Sequence, residues 1–141
     1  MNKGIIRIIV VDDHPAVRKS IKILLGTNPG FEIIAECEDG HSAIEQATQL
    51  IPDIMLVDIN MSPVDGFEVT EVVLKKVPSV KIIALSINNQ LKYATEMLRA
   101  GARGYLTKTS PPKEIIQSII DVHNGDIYIC HEIRKLIPPS D

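Results

Sequence analysis

Ile54-Met-Leu-Val-Asp-Ile-Asn-Met-Ser-Pro-Val-Asp-Gly66 decides the fold. It opens as a short apolar run with no alternation of polar and apolar positions. A strand buried on both faces reads this way, as in a parallel sheet covered by helices. Asp58 sits where the run stops. A carboxylate is costly to bury inside such a sheet and useful at its carboxyl edge, where open α/β sheets place their chemistry. A loop-capping role for Asp58 is the plain alternative, and the rest of the chain has to decide between the two.

Working outward, apolar strands and amphipathic helices alternate. Ile5-Ile-Arg-Ile-Ile-Val-Val11 is a first strand, followed at once by Asp12-Asp-His-Pro15. Pro15 suits the first helical position, with Asp13 or His14 as cap. Val17, Ile21, Leu24 and Leu25 recur at helical spacing up to the stop at Gly26-Thr-Asn-Pro-Gly30. A second strand is expected over 31–35, a helix over 40–50, the central strand from 54, a helix over 66–77, and a strand over 80–85 finishing on Ser86. A helix over 89–100 closes on Gly101, and a short strand over 103–106 precedes Lys108. Pro111-Pro-Lys-Glu then opens a last helix that runs to Asn124-Gly125. Five such alternations predict an α/β fold: a flavodoxin-like (βα)5 doubly wound parallel sheet, strand order 2-1-3-4-5. In the tail, Ile129, Ile133, Leu136 and Ile137 predict a short amphipathic helix ended by Pro138-Pro139.

The chain has 141 residues, suiting one domain with a core of its own. Its two cysteines, Cys37 and Cys130, have no metal-ligand or C-x-x-C spacing, so a reduced cytoplasmic setting is expected. No apolar run approaches a membrane span, and no membrane role is expected. A formal net charge of -3 gives no electrostatic reason to grip nucleic acid unaided.

In the predicted strand order Asp12, Asp13, Asp58, Ser86 and Lys108 all fall at one sheet edge. Two carboxylates about 5 Å apart at an effective dielectric near 20 repel by ~3 kcal/mol. A solvated turn does not select such a cluster; a hard divalent cation relieves it, and Mg²⁺ suits a few carboxylates plus retained waters. A carboxylate, a hydroxyl and an ammonium then face one another. That set suits phosphoryl transfer onto Asp58, with Ser86 and Lys108 contacting the transferring oxygens. Singly, Lys108 reads as a surface lysine and Ser86 as a turn hydroxyl; their joint placement carries the argument.

Val10-Val-Asp-Asp13, Leu56-Val-Asp-Ile-Asn-Met61 with Asp65-Gly66, Ala84-Leu-Ser86 and Gly101-Ala-Arg-Gly-Tyr-Leu-Thr-Lys108 together resemble the receiver domain of two-component response regulators. The resemblance spans about residues 5–124. It implies that Asp58 is the phospho-acceptor, that Asp13 binds Mg²⁺ directly and Asp12 mostly through water, and that Asn60 offers its backbone carbonyl to the metal. It implies that Ser86 and Lys108 contact the phosphoryl group, and that Tyr105 is a switch aromatic moving inward as the hydroxyl is drawn to phosphate. An ordinary edge-strand aromatic is the alternative for Tyr105.

The implied partner is a sensor histidine kinase or a phosphotransfer protein, with a homodimer on phosphorylation. The implied activity is promotion of its own phosphorylation and dephosphorylation rather than classical enzymatic turnover. Asp12-Asp-His-Pro15 and Gly125-Asp-Ile-Tyr-Ile129 further resemble receivers that precede a LuxR-type helix-turn-helix domain. DNA would then be reached only through such an output domain. The expected organisation is a receiver over 1–125 and, over 126–141, an extension or the start of a linker. A receiver cut from a longer protein is the reading favoured by Pro138-Pro-Ser-Asp141, and a stand-alone receiver acting through protein contacts is the alternative. One departure stands out: the family usually has Met-Pro after the acceptor strand, and here Met61-Ser62-Pro63 occupies that place, leaving the loop path open.

Other functions fit less well. An FMN-binding flavodoxin needs a small-hydroxyl phosphate loop after the first strand, where Asp12-Asp13 would repel phosphate. A haloacid-dehalogenase-like phosphatase resembles Asp-x-Asp at its nucleophile, whereas Asp58-Ile-Asn60 lacks the second acid. A pseudo-receiver loses acceptor or metal residues, and all are present here.

Overall fold

The computed structural model describes residues 4–139. Six parallel strands stand in the order β2-β1-β3-β4-β5-β6: β1 (Ile6–Val11), β2 (Phe31–Cys37), β3 (Ile54–Asp58), β4 (Lys81–Ser86), β5 (Gly104–Thr107) and β6 (Tyr128–Ile129). The helices are α1 (Pro15–Leu25), α2 (Gly40–Leu50), α3 (Gly66–Lys76), α4 (Leu91–Ala100), α5 (Pro112–His123) and α6 (His131–Arg134). The predicted order of the first five strands is the observed one.

Every residue of β3 is buried, as its unbroken apolar run requires. Ile8, Ile9, Ile54, Met55, Leu56, Ile82, Ile83 and Leu106 form the centre of the core. On one face Val17 and Ile21 of α1 and Pro112 and Ile115 of α5 line a shared groove. α2 packs on α3 and α3 on α4 across the other. Among the described residues no helix is long and apolar enough to cross a membrane.

The helix boundaries follow local chemistry. Asp39 and Asp65 cap α2 and α3 by accepting the Ser42 and Glu68 N–H groups at 2.8 and 2.9 Å. α4 stops at Gly101, whose φ of 110° suits a residue without Cβ. At Gly66 the requirement is space: an added Cβ would lie 2.6 Å from the Ile59 Cα and 2.8 Å from the Asp58 carbonyl oxygen. The loop after β3 therefore turns back tightly beneath the end of that strand. Its Ser62-Pro63 bond is cis.

The tail differs from the prediction. Ile129 lies in a sixth strand instead of a helix, and the helix that follows is only His131–Arg134. Leu136 and Ile137 lie beyond it, about half exposed. The reason is the open edge of β5. Gly125, at φ 101°, turns the chain. The Tyr128 N–H then donates to the Arg103 carbonyl and the Cys130 N–H to the Tyr105 carbonyl, both at 3.0 Å. Backbone groups that would lack partners are thereby satisfied.

Candidate functional site

Parallel pairing sets the ends of the strands side by side. Asp58 at the end of β3 is in register with Leu85, and Ser86 at the end of β4 with Thr107. Asp12 follows β1, the other neighbour of β3. The Asp12, Asp13, Asp58 and His14 side chains each offer a ligand atom within 4.8 Å of the others. Asp12 and Asp58 are fully buried, while Asp13 lies at the mouth with its side chain 41% exposed.

Asp58 is held from several sides. Its Oδ1 accepts the Asn60 N–H at 2.9 Å, and its Oδ2 faces the Lys108 ammonium at 3.4 Å. Burial pushes its carboxyl above the usual aspartate range, and the Asp12 charge pushes the same way; the Asn60 N–H and Lys108 oppose them. Asp12 Oδ1 accepts the His14 N–H at 2.8 Å. Lys108 Nζ lies 3.0 Å from Asp12 Oδ2 as an ion pair, off the line of a hydrogen bond. Among the described residues Asp12 Oδ2 is the one buried side-chain polar atom without a hydrogen-bond partner.

That orphan tests whether a cation fits. A buried carboxylate oxygen that makes no hydrogen bond, on an aspartate grouped with two further carboxylates, offers hard oxygen donors of the kind Mg²⁺ takes. The residues could hold a metal ion.

The hydroxyl side of the site is a short chain of contacts. Ser86 Oγ donates to the Asn60 side-chain oxygen at 3.3 Å and accepts the Asn88 N–H at 2.8 Å. The Asn88 carbonyl accepts the Tyr105 hydroxyl at 2.9 Å. Tyr105 is fully buried, so its ring stands in the inward position, and burial raises its phenol's pKa. β6 covers β5, so Tyr105 does not stand on an edge strand.

All seven residues singled out in the sequence thus meet at one edge, Tyr105 through the Ser86–Asn88 link. His14 was expected only as a possible cap. It stands at the N-cap with no side-chain capping bond. Its ring instead points into the acids, with Nδ1 2.9 Å from Asp12 Oδ1, 3.0 Å from Asp13 Oδ1 and 3.2 Å from Lys108 Nζ. Only its adjacency to two acids in sequence hinted at this. Arg18 was also missed: its guanidinium donates to the Asp12 carbonyl at 2.5 Å from one turn into α1.

Fold and site define a parallel α/β protein with an acidic cluster around the buried Asp58 carboxylate at the end of its central strand, where a metal ion could sit. Residues 8–120 match the family model of the response regulator receiver domain, and the chain belongs to that family. The transcriptional regulatory protein DegU of Brevibacillus brevis is 38% identical over 129 residues, covering 92% of this chain and 55% of DegU. The response regulator GacA of Pseudomonas viridiflava is 34% identical over 92% of this chain and 61% of its own length. The chain thus spans little more than half the length of these relatives. Among solved structures, a LuxR-family two-component response regulator from Aurantimonas sp. superposes with a TM-score of 0.90 at 30% identity, covering 93% of this chain and 94% of that one. The likeness places the chain with receivers of the LuxR type.

Proposed function

We propose that this chain is the phospho-accepting receiver of a two-component pathway, taking a phosphoryl group from a histidine kinase or phosphotransfer protein onto Asp58. One observation carries the reading: three carboxylates gathered around the end of the central strand, with Lys108 against two of them and Ser86 on the next strand.

In the reaction an ionised oxygen of Asp58 attacks the donor's phosphorus. An O–P bond forms and the P–N bond to the donor imidazole breaks, its electron pair staying on that nitrogen. The product is an acyl phosphate, which water later hydrolyses to aspartate and phosphate. Lys108 and the Asn60 N–H keep Asp58 available as a carboxylate against the effect of its burial. Asp12, Asp13, Asp58 and the Asn60 backbone carbonyl would hold Mg²⁺, which when bound supplies charge neutralisation at the transferring oxygens. Lys108 contacts one phosphoryl oxygen, and Ser86 turns from Asn60 to donate to another. That turn loosens the Asn60 contact while Tyr105 stays joined to Asn88, so the loop after β4 reports on the site. The chain promotes its own phosphorylation and dephosphorylation and is not a classical enzyme.

By likeness to DegU, a transcriptional regulatory protein, the output is transcription; a cytoplasmic setting and a DNA-binding domain reached from the 1–125 receiver by way of the 126–141 extension complete this reading. Dimerisation on phosphorylation would double the contacts to a two-fold operator.

Acetyl phosphate with Mg²⁺ tests the chemistry. Intact mass should rise by one phosphate, and neither an Asp58→Asn variant nor a chelator-treated sample should gain it. A variant that still gains phosphate removes the assignment.

A further inference from the structure

The C-terminal extension reaches the site through one side chain. Glu132 in α6 accepts hydrogen bonds at a single oxygen, Oε1, from the Thr107 hydroxyl at 2.7 Å and the Thr109 hydroxyl at 3.0 Å. These two threonines flank Lys108. Thr107 is buried at the end of β5, and its hydroxyl also meets the Ser110 Oγ at 3.2 Å. The Thr107 N–H is itself bonded to that Ser110 oxygen at 3.1 Å. Thr107, Thr109 and Ser110 are therefore tied to one another and, through Glu132, to α6. Those threonine hydroxyls, and more weakly the Asn89 side chain in the loop after β4, hold the Glu132 carboxyl below its usual range.

α6 is anchored independently of this contact. Ile133 and Cys130 are fully buried, the Cys130 N–H donates to the Tyr105 carbonyl, and Glu114 of α5 accepts the His131 N–H at 2.9 Å and the Tyr128 hydroxyl at 2.5 Å. A charged acceptor on a fixed helix can brace a loop, because the cost of ordering it is already met elsewhere. Lys108 needs such bracing. It has four rotatable side-chain bonds, and its ammonium must stay within reach of Asp58 and of the oxygens transferred there.

We infer that Glu132 is a positioning residue for Lys108: the extension after the fifth helix completes the phospho-acceptor site by clamping the hydroxyls on either side of its lysine. The inference rests on the proposed phospho-acceptor role of Asp58. It makes the extension part of the site as well as a tether.

Beryllofluoride, standing in for the phosphoryl group, separates the two claims. In the full chain with Mg²⁺, a ¹⁹F resonance of the bound anion should appear, and Asp58→Asn should abolish it. Glu132→Ala should weaken beryllofluoride binding about fivefold, the scale of one charge-assisted hydrogen bond at a partly exposed site. Thr109→Val, which removes one donor, should weaken it roughly twofold. Glu132→Gln keeps the acceptor oxygen and should stay within about twofold of the parent. The ε-ammonium ¹⁵N resonance of Lys108 should shift in Glu132→Ala and return in Glu132→Gln. If Glu132→Ala merely lowers the melting temperature, with beryllofluoride affinity and the Lys108 resonance unchanged, the positioning role is overturned while the acceptor assignment stands. If the parent chain gives no Asp58-dependent ¹⁹F signal, the acceptor assignment itself fails and takes the positioning role with it.

Discussion

Removing the acceptor charge should make the metal-free protein more stable. Asp58 lies within 4.8 Å of Asp12 at their ligand atoms, so their repulsion at an effective dielectric near 20 is about 3.5 kcal/mol. Lys108 at 3.4 Å returns about 4.9 kcal/mol of attraction on the same scale. Asp13, within the same 4.8 Å but 41% exposed and so partly screened, takes up this difference of about 1 kcal/mol and leaves ionised Asp58 almost no Coulomb margin. The desolvation of Asp58 costs several kcal/mol and outweighs that margin, in keeping with the upward shift of its pKa. Asp58→Asn should therefore stabilise the metal-free fold by ~2 kcal/mol at pH 7, a rise in Tm of about 6 °C for a domain of this size.

The sign with pH is fixed by the same shift. Below the ordinary aspartate value of 3.8 both folded and unfolded chains are protonated and the charge penalty is absent. As pH climbs from there through the raised folded value, the parent loses stability relative to the variant, and above it the gap is constant. A cation in about tenfold excess over its Kd adds about 1.4 kcal/mol to the parent and little to the variant, closing most of the gap. Differential scanning calorimetry at pH 7 and near pH 3.5, with chelator and then with Mg²⁺, reads all of this. A variant that melts at or below the parent at pH 7 in chelator would refute the reasoning, as would a gap that persists undiminished in acid.

Lys108→Gln acts in the opposite direction: it leaves two buried carboxylates facing each other and should cost roughly 2–4 kcal/mol at pH 7, shrinking as acid protonates Asp58, readable by urea denaturation at both pH values. Gly66→Ala forces a methyl against Ile59 and the Asp58 carbonyl, and a loss of roughly 1–3 kcal/mol with weakened Mg²⁺ affinity by calorimetric titration is expected; unchanged stability would mean the loop has room to give.

The five-strand frame was legible because β1, β3 and β4 are apolar runs that stand out, and the less uniform β2 and β5 fall between helices with marked starts or stops. The site was legible because chemistry-bearing residues fall at the ends of those runs, and parallel topology alone brings such ends together. β6 was not legible for a physical reason. Two residues, Tyr128 and Ile129, carry no periodicity, and their pairing depends on the open edge of β5, a feature of the fold and not of the local sequence. Ile129 consequently read as part of a helical stripe with Ile133. His14 was obscured by its position beside Pro15, where a capping role is the obvious local reading. Its contacts with the acids come from the way α1 leaves β1. Glu132 could not be linked to Thr107 and Thr109 from sequence, because the link crosses from α6 to the loop after β5 and needs β6 to place it.

The central claim is that one carboxylate, Asp58, receives the phosphoryl group. Acyl phosphates are reduced by borohydride to the alcohol, so a phosphorylated aspartate becomes homoserine and keeps a permanent mass mark. After acetyl phosphate and Mg²⁺, borohydride reduction and peptide mapping should place homoserine at Asp58 and leave Asp12, Asp13 and Asp65 intact. Homoserine at any of those three with Asp58 unchanged would contradict the account.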